Sequence, residues 1–377
     1  MGNEMKNQKN TIYYVCQWGH NRARAWSGTY LALFNALKKQ TNLIEVGVKQ
    51  KLSTRIKQIL NRHTRFAKYG FSYDDIKSFD PWSHNMIPKE NADVLSFFEM
   101  DMPPKNRGYI YQDMCIDYIE NVILKDKSLK NCFRRNVSQK VIEIRERKQK
   151  EYYAKCSGIF VMGEWLKKYL IEKMGINKDK IYNVGAGYDI DLKKYDPSKR
   201  QGNKLLFVGV DFERKAGPLV IEAFKILKKK YQSNAELYIV GPKKLKLREN
   251  CEGIHFVGNV PGDKITEYYN CCDVLCMPSY LEPFGKVFIE ALAYGMPVIA
   301  RNTFATSDFI SNGKNGFLIT KDDKDNLAEK MYEALHNENI KEYVKNDMSR
   351  IREYYSWDAV AGRINEVIGI NANNQQK

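Results

Sequence analysis

Apolar residues recur along this chain in two alternating rhythms. Short β-branched and aromatic runs read as strands buried on both faces, and apolar positions three and four apart read as helices. Residues 11–18, TIYYVCQW, form the first strand run; a glycine-containing loop, GHNRARAWSGTY, and the helical run LALFNALKK follow. Further strand runs fall at 43–48, 92–98 and 109–112, and 119–155 carries a basic helical pattern. GIFVMGEWLKKYLIEKMGI then reads as strand, turn and helix. Around 190–203 the chain turns polar and strand-poor, a candidate linker. Beyond it the rhythm resumes with KLLFVGVDFERKAGPLVIEAFKIL, AELYIVGP, GIHFVGNV, the short helix DKITEYYNCC and the strand DVLCMPS. Strand–helix alternation of this kind predicts an α/β protein with parallel sheets, divided into residues 1–195 and 196–355 as two doubly wound, Rossmann-like domains.

The densest chemistry lies at 278–300, PSYLEPFGKVFIEALAYGMPVIA. Phe288, Ala291, Leu292 and Gly295 keep helical spacing, so a helix starts near Gly285 and is closed by Gly295 and Pro297. Gly285 lets a ligand approach the backbone, and the N–H groups at the helix start suit a phosphate. Glu282 lies just upstream and Glu290 further along, two hydrogen-bond acceptors on either side of that cradle. Acceptors flanking a phosphate cradle describe a sugar nucleotide, with a sugar at each end. An isolated pair of glutamates at this spacing would be a solvated helix face; Pro283, Phe284, Gly285 and the closing Gly-x-Pro-Val-Ile set it apart.

This block resembles the donor-site signature of family-4 glycosyltransferases, ExFGxxxxEAxAxGxPVI. The resemblance implies the GT-B fold, two Rossmann-like domains facing a cleft, and retaining transfer without a metal. The first domain would take the acceptor and the second the nucleoside-diphosphate sugar, a UDP- or GDP-sugar, with no other cofactor. It also implies that the last helix, 356–370, crosses back to complete the first domain. Arg214 and Lys215, in the loop after the strand ending at Gly209, match the cations that clamp the donor diphosphate. Lys286 follows Gly285 in the same donor block, and the backbone from Gly258 to Val260 would meet the nucleobase. In the first domain, Gly28 with Thr29 occupies the glycine loop that faces donor and acceptor, although Ser27 stands where the family usually has a second glycine. Asp113 sits where the family commonly has a histidine near the anomeric carbon. Phe304 and Ala305 stand where it often has Gly-Gly, ahead of the acidic position matched by Asp308, and Gly163 stands in place of a serine before Glu164 and Trp165. The specific motifs lie in 190–370; before that the likeness is a weaker pattern.

Composition narrows the setting. The eight cysteines include no C-x-x-C, and Cys272 and Cys276 flank a strand as core residues would. The five histidines show no ligand spacing, so no metal site is expected. A polar start and the lack of a long apolar run suggest neither a secretory signal nor a spanning helix, and a reducing cytoplasm is the expected setting. Charge is uneven: residues 1–200 carry 37 Lys and Arg against 22 Asp and Glu, whereas residues 201–377 carry 24 against 23. A nucleic-acid binder would put such charge on an aromatic-studded basic module, and none is found, so no nucleic-acid partner is expected. The remaining alternatives are a soluble synthase of a free disaccharide or glucan, and a sugar-nucleotide binder without activity. The main expectation is a glycan or lipid-linked acceptor, with the protein peripheral on the inner face of an anionic membrane.

Residues 49–68 give that last expectation a physical basis. Leu52, Ile56, Ile59 and Leu60 recur at helical spacing, with Lys49, Lys51, Arg55, Lys57, Arg62, Arg65 and Lys68 on the polar side. Such a helix either lies on an anionic surface or packs its apolar stripe on the domain. Each basic residue near an anionic leaflet contributes about 1 kcal/mol, screened by salt. The protein should therefore co-sediment with phosphatidylglycerol vesicles at low salt, ignore neutral vesicles and be released at high salt. Glutamate at Lys51, Arg55, Lys57 and Arg62 should abolish the binding. Failure of the wild-type protein to sediment at low salt would assign the charge to a solvated face.

Overall fold

The computed structural model describes residues 10–18, 21–48, 86–100, 105–127, 129, 139–243 and 252–374. The basic segment 49–68 lies outside them, as do Arg134 and Arg135. The described chain forms two units that divide between Gly187 and Tyr188 and again between Ser356 and Trp357.

The first unit is built on β1 (Thr11–Cys16), α1 (Thr29–Gln40), β2 (Asn42–Gly47), β3 (Glu90–Ser96), β4 (Lys105–Gln112), α2 (Gln139–Lys155), β5 (Gly158–Val161), α3 (Glu164–Glu172) and β6 (Ile181–Asn183). Its strands are all parallel, in the order β2-β1-β3-β4-β5-β6. Ile12, Tyr14, Val15 and Cys16 of β1 are fully buried, as expected for a strand covered on both faces. The strand stops at Cys16, short of Trp18. Of the stretch 119–155, which carries a basic helical pattern, the described residues hold a π-helical turn, Ile119–Ile123, continuing a short helix, Ile116–Tyr118, and the helix α2 over Gln139–Lys155.

The terminal helix, Trp357–Asn374, belongs to this unit. Arg363 donates to the Val184 carbonyl at 3.0 and 2.8 Å, and Lys39 of α1 pairs with Asp358 at 2.8 Å. Trp357 packs against Gly187, where a Cβ would lie 2.5 Å from the indole ring, so no larger residue fits there without displacing it.

The second unit continues with β7 (Lys204–Val208), α4 (Gly217–Lys230), β8 (Glu236–Val240), β9 (Ile254–Gly258), α5 (Ile265–Cys271), β10 (Val274–Cys276), α6 (Lys286–Ala293), β11 (Val298–Arg301), β12 (Gly316–Ile319), α7 (Lys324–His336) and α8 (Glu338–Tyr354). Its parallel strands take the order β12-β11-β10-β7-β8-β9. The strand expected to end at Gly209 ends one residue earlier, and the remaining strand and helix positions of this half follow the apolar rhythm.

The boundary corrects the sequence expectation. The chain passes from one unit to the other at 187/188, not at 195/196, because the polar stretch read as a linker is bonded into the second unit. Tyr188 N donates to Tyr355 O at 3.1 Å, Asp196 N to Asn270 Oδ1 at 2.8 Å, and Asn270 Nδ2 returns a bond to Lys194 O at 2.6 Å. Tyr294 donates its hydroxyl to Asp191 O at 2.6 Å. Arg200 spreads its guanidinium over the carbonyls of Gly295, Tyr269 and Tyr294. Those carbonyls include the C-terminal end of α6, where a cation also complements the helix dipole. Polar composition signals a loop here; the partners that hold it are invisible in sequence.

Candidate donor-binding site

In the second unit the chain runs through β7, β8 and β9, then returns to place β10 on the other side of β7. Loops leaving two such neighbouring strands diverge, and doubly wound sheets bind ligands in the crevice this opens at the strand C-terminal ends. The expected clamp comes from these two loops. Arg214 and Lys215 follow β7, and Glu282 follows β10.

These three residues meet on one carboxylate oxygen. Lys215 Nζ lies 2.7 Å and Arg214 Nη1 3.4 Å from Glu282 Oε2. Arg214 also donates to the Leu281 carbonyl, and Lys215 Nζ lies 3.3 Å from Met277 Sδ. Lys215 is 8% exposed, so its charge sits in an environment that demands a partner. Gly209 makes this possible: a Cβ there would fall 2.0 Å from Lys215 Cδ. The glycine after β7 therefore leaves room for the lysine stem. Burial pushes the Glu282 carboxyl up, but Lys215 and Arg214 outweigh it and hold the group below the usual glutamate range.

Gly285, the N-cap of α6, has φ 88°, a left-handed conformation suited to glycine. A Cβ would meet the Phe288 ring at 2.6 Å and Glu282 Cγ at 3.1 Å, so glycine also seats Glu282. No side chain caps the helix start. The motif places Pro283 and Phe284 at the donor, yet Phe284 is buried, its ring 5.8 Å from that of Phe309 and 6.5 Å from that of Tyr355. Its backbone, not its ring, is what the loop can present.

Glu290 lies further along α6 and is 7% exposed. Asp189 N donates to Oε1 at 3.1 Å and Tyr269 Oη to Oε2 at 2.9 Å. Lys286, at the first position of α6, pairs with the Asp189 carboxylate. Burial, then the Asp189 charge, push Glu290 up; Lys286 and the two hydrogen bonds oppose them, and the net position is above the ordinary range. The two motif glutamates thus sit in opposite electrostatic surroundings.

Gly258 and Val260 lie at the end of β9, two strands from β7 on the same edge of the sheet. Gly258, at φ 77°, accepts from Gly241 N at 2.7 Å. Gly28 and Asp113 belong to the first unit. Gly28, at φ 87°, is the N-cap of α1, and Trp26 and Ser27 before it are left-handed as well, at φ 45° and 55°. Asp113 follows β4, close enough for its charge to act on Tyr30. Phe304 is also left-handed, at φ 55°. No motif or spacing in the sequence singles out Tyr269, Asp189 or Arg200. Tyr269 lies in a segment read only as a short helix, and Asp189 and Arg200 lie in or beside the presumed linker.

Fold and site together define the class: two doubly wound α/β units of the GT-B type, with a cation–carboxylate cluster at the switch point of the second. Residues 190–368 match the model of the family Glycosyl transferases group 1. Phosphatidyl-myo-inositol mannosyltransferase of Mycolicibacterium smegmatis is 27% identical over 225 residues, 57% of this chain and 58% of that protein. The chain spans about half the length of the curated relatives it matches. Among solved structures, WaaG, a glycosyltransferase involved in lipopolysaccharide biosynthesis, superposes with a TM-score of 0.62 at 18% identity, covering 95% of this chain and 99% of that one. Anabaena Alr3699/HepE, in complex with UDP and glucose, does so with a TM-score of 0.61 at 13% identity, covering 96% and 100%. At these identities the two structures establish the shared fold.

The Glu282 cluster has a measurable signature. Its lowered position gives stability that is present above the ordinary glutamate range, about pH 4.3, and is lost as pH falls through the lower folded-state value. Glu282→Gln removes that contribution and leaves Lys215 buried without its charged partner, at a cost of up to about 3–5 kcal/mol at neutral pH. The gap between the urea midpoints of wild type and variant should be widest near neutrality and close as pH drops below about 4. A gap that stays constant with pH would show that the pair does not govern Glu282.

Proposed function

We propose that this protein is a retaining glycosyltransferase that moves a sugar from a UDP- or GDP-sugar to a glycan or lipid-linked acceptor, without a metal. The observation that carries the reading is the Arg214–Lys215–Glu282 cluster at the switch point, beside the uncapped start of α6. A departing nucleoside diphosphate needs positive charge where its own charge develops, and preorganised cations and helix N–H groups supply it. Arg214 and Lys215 fill that role, with Gly285 and Lys286 at the helix start. Glu282 accepts from hydroxyls of the donor sugar, and Glu290 from the ribose.

The bond between the anomeric carbon and the phosphate oxygen breaks as the acceptor oxygen bonds to the same face of that carbon. The acceptor proton passes to a phosphate oxygen of the leaving group. The transition state has the oxocarbenium character known from glycoside hydrolysis. Asp113 and Gly28, in the acceptor unit, lie in the segments that follow β4 and β1, on the side of the sheet where the acceptor would bind.

A lipid-linked or surface-polysaccharide acceptor is supported by the activity named for the mycobacterial relative and by the involvement of WaaG in lipopolysaccharide biosynthesis. The neighbour holding UDP and glucose supports a UDP-sugar as the first donor to try. Among the described residues no helix is long and apolar enough to cross a membrane, so association through the basic first half is the route proposed for reaching such an acceptor. An assay comparing lipid-linked with water-soluble sugars separates this reading from the soluble synthase. Donor hydrolysis separates it from a binder without activity.

Alanine at Glu282 or Glu290 should each lower activity about tenfold to a hundredfold, since a hydrogen bond to a charged group is worth roughly 1.5–3 kcal/mol. Wild-type turnover in the double variant would overturn the donor assignment. Transfer should also proceed in EDTA at the rate seen with magnesium or manganese. A strict metal requirement would show that Arg214 and Lys215 do not suffice as the clamp.

A further inference from the structure

Tyr269 has no place in the donor motif, yet it is fully buried and reaches Glu290 from another helix. Its ring lies 5.7 Å from that of Tyr294, its carbonyl accepts from Arg200 at 2.9 Å, and its hydroxyl donates to Glu290 Oε2. Ring, backbone and hydroxyl are each engaged, so the hydroxyl is held in a fixed place. The other carboxylate oxygen takes the Asp189 N–H. The last torsion of a glutamate is broad and easily turned. One donor on each oxygen sets the plane of the carboxylate. An ionised carboxylate has about four lone-pair positions, so two remain for a ligand.

We propose that Tyr269 is a positioning residue of the donor site, whose hydroxyl orients the Glu290 carboxylate to receive a vicinal diol, the ribose of a nucleotide sugar. This rests on the donor reading above. A diol offers two hydroxyl donors, which match the two acceptor positions left by Asp189 N and Tyr269 Oη. The charged and titratable groups facing Glu290 are the Asp189 carboxylate and the Lys286 ammonium, with the Tyr269 and Tyr294 hydroxyls. Tyr294 is already committed to the Asp191 carbonyl. Tyr269 thus holds Glu290 by a side-chain hydrogen bond. That bond also works against protonation of Glu290, while burial and Asp189 favour it. A protonated Glu290 presents a donor where the diol needs an acceptor.

The test uses UDP-glucose and GDP-mannose as probes, measured by titration calorimetry from about pH 5 to 8. Both are diphosphate diesters whose own charge is constant over that range. The Tyr269→Phe protein keeps the ring and loses the hydroxyl. For whichever probe the wild-type protein binds, its affinity should fall about tenfold at neutral pH. The acid-side loss of binding should also begin at a higher pH than in wild type. In a Glu290→Gln background, which cannot ionise, adding Tyr269→Phe should cost less than about twofold, because the two changes act through one contact. Wild-type affinity in Tyr269→Phe at every pH, or a penalty that persists in full in the Glu290→Gln background, would overturn the role. If Tyr269→Phe does not fold, Glu290→Gln alone decides: it should lose the acid-side fall in affinity, and retaining it would overturn the proposal. A wild-type protein that binds neither probe would instead bring down the donor reading itself.

Discussion

A lysine taken out of water must be given a negative partner, and much of the second unit is arranged around that requirement at Lys215. The glycine after β7 gives the lysine stem its path, and the loop after β10 brings Glu282 to meet it. Gly285 in turn makes space for Glu282 and is the N-cap of α6. Replacing the pair by apolar residues of similar volume need not weaken the fold, since buried ion pairs rarely contribute net stability. What the cluster provides is placement: two cations and a carboxylate are held together at a sheet's switch point.

The second unit is legible from sequence because its signals are local. Strands buried on both faces appear as unbroken apolar runs, and the loops between them end in glycines whose positions the packing demands. Gly209, Gly258 and Gly285 read as punctuation, and each sits at a strand end or helix start with a steric or conformational reason. The parts that stay hidden depend on partners distant along the chain. Asp189 and Glu290 are far apart in sequence, as are Arg200 and the carbonyls at the end of α6. The polar run 190–203 resembles a linker because composition reports solvent preference, not hydrogen-bond partners. Phe284 turns its ring into the core beside Phe309, because a motif fixes which residue recurs but not which way its side chain turns.

Two departures from the family pattern can be weighed in backbone terms. Ser27 stands where a glycine is usual and Phe304 where a Gly-Gly is common, and both take left-handed conformations. Side chains there cost about 1–3 kcal/mol relative to relaxed backbone, and persist only when their surroundings over-determine them. Trp26 shows what does the determining in the first unit. Its ring lies 5.4 Å from that of Tyr30, 5.8 Å from that of Phe97 and 5.9 Å from that of Tyr111, which fixes the loop that leads into α1.

The strap from 188 to 200 has a practical meaning for anyone who divides this chain. It touches Glu290, α5 and the C-terminal end of α6, and its Asp189 holds Lys286 at the other end, so it is a fitted part of the second unit. A chimaera joined at residue 196 would import the sheet and both motif glutamates while leaving much of their lacing behind on the discarded piece. Joined between Gly187 and Tyr188, with the return crossing at Ser356 and Trp357, the same exchange would carry every one of those hydrogen bonds within the transplanted segment.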